Sequence, residues 1–74
     1  MITIAPQRTQ DATWWPLPGQ RSIGAHWNVE TRRWDVMHYG HGLASSWGSY
    51  GEDQREAAEL AAEAAYGLLL WTAS

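Results

Sequence analysis

From Ile23 to Tyr39 the chain alternates apolar and polar residues almost without a break, and this pattern constrains the fold more than any other feature. Ile23, Ala25, Trp27 and Val29 alternate with Gly24, His26, Asn28 and Glu30. Trp34, Val36 and His38 then alternate with Arg33, Asp35, Met37 and Tyr39. A period of two sends successive side chains to opposite faces, so the stretch reads as two strands of a sheet with one buried face. A tight turn over 30–33 sets Val29 opposite Trp34 and Trp27 opposite Val36, pairing aromatic with β-branched side chains. Thr31-Arg32 lacks the Asn-Gly chemistry of a two-residue loop, so a type I turn is expected there. Gly40-His41-Gly42 supplies the next turn. Leu43 to Tyr50 follows as a third strand, with Leu43, Ser45, Trp47 and Ser49 on one face.

Beyond Gly51 the composition changes to Ala, Glu and Leu, which favour helix. Asp53 with Glu56, and Ser49 with Glu52, both have capping-box spacing, and the helix is expected over 53–71. At 100° per residue Ala57, Ala61, Ala64 and Leu68 gather on one side, flanked by Leu60 and Trp71. A face lined by Ala lets the helix approach the sheet closely, with Trp27 and Trp34 supplying the bulk. Glu52, Glu56, Glu59 and Glu63 fall on the other side, and the same azimuth continues into Tyr66 and Leu70. The helix-free face of the sheet carries His26, Asn28, Glu30, Arg33, Asp35, Met37 and Tyr39.

Ahead of the alternation, residues 6–22 read as a long loop, with Pro16, Pro18 and Gly19 favouring extended and turn backbone. Ile2 and Ile4 give a minimal strand pattern that Pro6 ends. The expectation is an α+β fold in one domain over 1–74. It consists of a small antiparallel sheet over 23–50, three strands or four with the N-terminal one, packed on one C-terminal helix.

A chain of 74 residues has room for one small core. It has no Cys, which removes disulfides and thiolate zinc sites together. It shows no apolar run long enough to span a membrane and no basic segment that reads as a secretion signal. The net charge of −3 is unevenly spread. Residues 1–50 hold four Arg against Asp11, Glu30 and Asp35, a net of +1, whereas residues 51–74 hold Arg55 against Glu52, Asp53, Glu56, Glu59 and Glu63, a net of −4. An acidic chain does not suit direct binding to a phosphate backbone.

Few side chains have the grouping that chemistry needs. His38 and His41 have H-x-x-H spacing, but His26 is expected to point to the other face, so no metal set converges and no cofactor is expected. Ser45, Ser46 and Ser49 near His41 lack a positioned base and orienting group, so no enzyme activity is expected. Two surfaces suit a partner instead. Trp14 and Trp15 form either an apolar contact patch or a plug for the open end of the core. The row Glu52, Glu56, Glu59, Glu63 ending in Tyr66 has no Lys or Arg at i+4 along its own azimuth, with Arg55 off to one side, and it suits a basic protein surface. Tyr66, Leu70 and Trp71 at the helix end also suggest a homodimer.

Trp47-Gly48-Ser49-Tyr50 leading to Glu56-Ala57-Ala58 and Ala61 resembles the plant ethylene-response-type DNA-binding domain. That resemblance implies a sheet whose Arg33 and Trp34 read a groove. Gly51-Glu52, Glu56-Ala57 and Glu63-Ala64 are similar to HicB-type antitoxins, acidic proteins that cover a toxin. As a small, acidic, Cys-free single domain the chain also resembles phage-encoded inhibitors of the anti-CRISPR type, which implies a target in the bacterial cytoplasm. The expected function is a non-enzymatic, acidic protein-binding module that inhibits or neutralises a nucleic-acid-handling complex. An antitoxin-like partner protein and a sheet-based DNA-binding module are the alternatives.

Overall fold

The computed structural model describes residues 5–72, so the strand expected at Ile2 and Ile4 lies outside the described residues. The fold is α+β. Strands β1 (Gln7–Arg8), β2 (Ala12–Leu17), β3 (Arg21–Asn28), β4 (Arg33–Gly40) and β5 (Leu43–Tyr50) precede one helix, α1 (Arg55–Thr72). They form one antiparallel five-stranded sheet in the order β1-β2-β3-β4-β5, and α1 crosses one face. The sheet is thus larger than the three or four strands expected, because residues 6–22 are a hairpin rather than a loop. In β2, Thr13, Trp15 and Leu17 are buried while Trp14 and Pro16 face out, the same period of two that marks β3 and β4. Pro16 hides this pattern. It is tolerated because, among the described residues, β1 pairs only with Thr13 and Trp14, and no described strand needs a ladder hydrogen bond from Pro16 on that side. Gly24 on β3 allows β2 to come this close: a Cβ there would lie 2.5 Å from Trp14 Cβ.

The turn between β3 and β4 spans 29–32, one position earlier than expected. The Asn28 side-chain oxygen accepts hydrogen bonds from the backbone N–H groups of Glu30 (3.0 Å) and Thr31 (3.3 Å), which fixes the turn start. The register is therefore Trp27 opposite Trp34 and Ala25 opposite Val36. A slip of two residues leaves every side chain on its expected face. Val29 is the exception, since it moves from the sheet into the turn and is 76% exposed. His41 (φ 54°) and Gly42 (φ 75°) make the next two-residue turn. Trp47 is the extra residue of a β-bulge, with Val36 opposite Gly48 and Met37 opposite Ser46, so Ser45 and Ser49 end on opposite faces rather than together.

The helix begins at Arg55, two residues later than expected. Gln54 closes the preceding turn with its side-chain oxygen on the Gly51 N–H (2.8 Å), and its carbonyl accepts from the Ala58 N–H. Ala58, Ala62, Ala65 and Tyr66 are the buried face, with Ala61, Leu69 and Leu70 beside them. The expected face was Ala57, Ala61, Ala64 and Leu68, so the helix is rotated by about one residue, roughly 100°. Ala57, Leu60, Ala64, Leu68 and Trp71 are instead exposed. Small residues and Leu occur on every side of this helix, so apolar periodicity fixes its rotation poorly. Tyr66 stacked on Trp15 (5.9 Å between ring centres) and Arg55 over the Trp34 ring (4.7 Å) determine it. The expected pairing of small helix residues with large sheet residues holds in this rotated form.

Tyr66 is 4% exposed, and its hydroxyl has no hydrogen-bond partner among the described residues. A buried unpaired hydroxyl costs about 1–3 kcal/mol. Tyr66→Phe keeps the stacked ring and is expected to leave stability unchanged or raise it by up to about 1 kcal/mol in a urea titration. A loss of more than about 1 kcal/mol would show that the hydroxyl is satisfied.

Candidate binding cleft

A cleft of about 370 Å³ opens between α1 and the β1–β2 end of the sheet. Helical spacing brings Glu56, Glu59 and Glu63 to one wall, with Leu60 between them, and Trp15, Thr13, Arg8 and Pro6 complete it. Four residues singled out from the sequence thus meet here: Glu56, Glu59, Glu63 and Trp15.

The three carboxylates are not equivalent. Glu59 is held inward, where its Oε2 accepts hydrogen bonds from Thr13 Oγ1 (2.6 Å) and Arg55 Nε (3.3 Å) and lies 3.5 Å from Arg8 Nη2. Arg55 also donates to the carbonyls of Thr9 (2.6 Å) and Gln10 (2.8 Å), tying the helix start to the β1–β2 turn. Arg55 and Glu59 are a balanced i,i+4 pair, contrary to the expectation that Arg55 stands aside from the acidic row. Glu56 and Glu63 are exposed and in no ion pair among the described residues. They lie two helical turns apart, roughly 10 Å along the axis. Uncompensated charge in the cleft therefore sits at its rim, above an aromatic floor.

The other expected contact residues lie elsewhere. Glu52 precedes the helix and is held by a two-pronged pair with Arg32 (2.8 and 3.1 Å), whose hydrogen bonds and charge hold the Arg32 guanidinium above its ordinary pKa. Tyr66 belongs to the core. Trp14 and Trp15 lie on opposite faces of the sheet, because neighbours on a strand point to opposite sides. Trp15 is 4% exposed in the core, and Trp14 stands half-buried on the helix-free face. Arg33 is engaged by Ser49 (2.7 Å) and Trp34 is buried under the helix, so the two share no surface. The signals that sequence reasoning passed over were Thr13, which alternates in phase with Trp15, and the Arg55–Glu59 spacing.

The helix-free face gathers Trp14, His26, Met37 and Tyr39, with His26 between the Trp14 ring (6.5 Å) and the Tyr39 ring (5.2 Å). His26 points out and His38 points in, as expected, and among the described residues no three His, Asp or Glu side chains converge on a metal position. Burial pushes the His26 pKa below its ordinary 6.5, even though the register sets Asp35 opposite it. The unfolded chain therefore binds a proton that the folded chain resists, and stability falls as pH drops below about 6.5. His26→Gln removes this titrating group. Between about pH 7.5 and 5.5 the parent is expected to lose more stability than the variant in urea titrations, and equal losses would contradict the assignment.

Compared with known proteins, the chain matches no family model and is similar to no curated protein or solved structure.

Proposed function

We propose that the chain is a non-enzymatic, acidic protein-binding module that inhibits or neutralises a nucleic-acid-handling complex, the role that its likeness to anti-CRISPR-type inhibitors implies. The observation that carries this reading is the cleft, where the carboxylates of Glu56 and Glu63, in no ion pair among the described residues, flank Leu60 above Trp15. An Arg side chain suits such a site. Its aliphatic stem and flat guanidinium lie well on apolar and aromatic surface, and its fork reaches carboxylates. Surfaces that bind nucleic acid are rich in Arg and Lys, so a module presenting carboxylates at the rim of an apolar cleft competes for them. The occupied Arg33 and the net charge of −3 favour this over direct DNA binding.

Affinity capture from nuclease-treated bacterial lysate, followed by competition with the purified partner, tests the proposal. The expected partner has a basic nucleic-acid-binding surface, and equimolar chain displaces its nucleic acid. Direct binding of the purified chain to duplex DNA, weakening steeply with salt, would overturn the reading in favour of a DNA-binding module.

A further inference from the structure

The two ends of the sheet differ. At one end β1 is only two residues long, follows Pro6 and carries Arg8. At the other end β5 runs for eight residues, Leu-Ala-Ser-Ser-Trp-Gly-Ser-Tyr, with no charge and no proline. Among the described residues β5 pairs only with β4, and Leu43 through Trp47 are all exposed. Long open edges usually carry a Lys, a proline or an inward charge, because their free N–H and C=O groups otherwise capture another strand. Here the only such device is the bulge at Trp47, which leaves Leu43–Ser46 regular.

We propose that β5 pairs with β5 of a second copy, centred on Leu43–Ser46, to make one continuous antiparallel sheet across a two-fold axis. Three observations point to a copy of the same chain. Antiparallel pairing is self-complementary, so one strand supplies both halves of the hydrogen-bond ladder. The apolar side chains at this edge, Leu43 (75% exposed) and Trp47 (45% exposed), gain cover from the same meeting. Charge selects the direction of approach. Two chains of net charge −3 repel, and this edge strand carries no carboxylate, whereas Glu56, Glu59 and Glu63 line the β1–β2 end of the sheet. The expected site is neither the helix end of Tyr66, Leu70 and Trp71 suggested by the sequence, where Tyr66 is buried and Leu70 packs against the core, nor the cleft, which stays open at the far ends. A strip four residues long spans about 14 Å, well below a standard interface, so a dissociation constant on the order of 100 μM is expected.

Sedimentation of the full chain over a concentration series tests this pairing, with amide exchange of 43–46 followed in the same samples. The mass is expected to rise from 8.3 kDa toward twice that value by about 1 mM, with the amides of 43–46 that point away from β4 gaining protection in step. Ala44→Lys with Ser46→Lys places like charges across the pairing and is expected to hold the mass at 8.3 kDa with an unchanged circular dichroism spectrum. A parent mass fixed at 8.3 kDa at about 1 mM would overturn the proposal. So would a dimer whose 43–46 exchange ignores concentration, and that readout decides even if the double variant fails to fold.

Discussion

Trp34→Ala is expected to remove about 3–5 kcal/mol of stability, the usual cost of deleting a buried Trp side chain. Small domains have about 0.05–0.15 kcal/mol per residue, so the variant would be largely unfolded at room temperature or close to it. Three interactions meet at this buried ring. It is 7% exposed, its Nε1 donates to the Glu52 carbonyl (3.0 Å), the Trp27 ring lies 5.3 Å away, and the Arg55 guanidinium sits over its face. The indole therefore joins the end of β5, the helix start and the centre of the sheet. Trp34→Phe keeps an aromatic ring but loses the hydrogen bond, and its cost should be intermediate. Half-buried Trp27 should cost less than Trp34 when cut to Ala. Urea unfolding of the three variants gives the order, and a Trp34→Ala midpoint equal to the parent's would show that this packing is wrong.

The second large effect is on binding. Glu56→Arg with Glu63→Arg changes the cleft rim by +4 and sets like charges against a basic partner, a juxtaposition that costs several kcal/mol. Binding to the captured partner is expected to fall at least 100-fold, about 2.7 kcal/mol. Stability should change little, because both positions are exposed and surface substitutions usually stay within about 0.5 kcal/mol each. Glu59 is the instructive contrast. Its carboxylate holds Thr13 and Arg55, so Glu59→Arg is expected to damage the fold along with binding. A row of four acids would have treated these positions alike, and the structure separates them.

That separation shows what the sequence can and cannot reveal. Alternation from Ile23 to Tyr39 identifies two strands and the buried face correctly, because a register slip of two residues preserves the face. The position of the turn depended on the Asn28 side chain, which contributes nothing to apolar periodicity. The strand at Ala12–Leu17 was masked by Pro16 and Pro18, and whether a proline is tolerated depends on how far the neighbouring strand extends. For the helix, its place and amphipathic character are legible, while its rotation is not. Ala, which fits either a packed or a solvated position, occupies both sides, and the deciding contacts of Arg55 with Trp34 and of Tyr66 with Trp15 reach residues far away in the chain. Of the site, the acidic wall could be read from helical spacing. Its floor could not, because Trp15 reaches the cleft only through a strand that reads as a loop.

The most direct test of the account is a titration of the ¹⁵N-labelled chain with a short Arg-rich peptide, followed residue by residue by NMR. The cleft predicts saturable shifts confined to Glu56, Leu60, Glu63, Arg8 and the Trp15 indole. They should weaken with salt and vanish in the variant carrying Arg at both Glu56 and Glu63. Shifts centred on Trp14, His26 and Tyr39, or spread over every carboxylate without saturation, would contradict it.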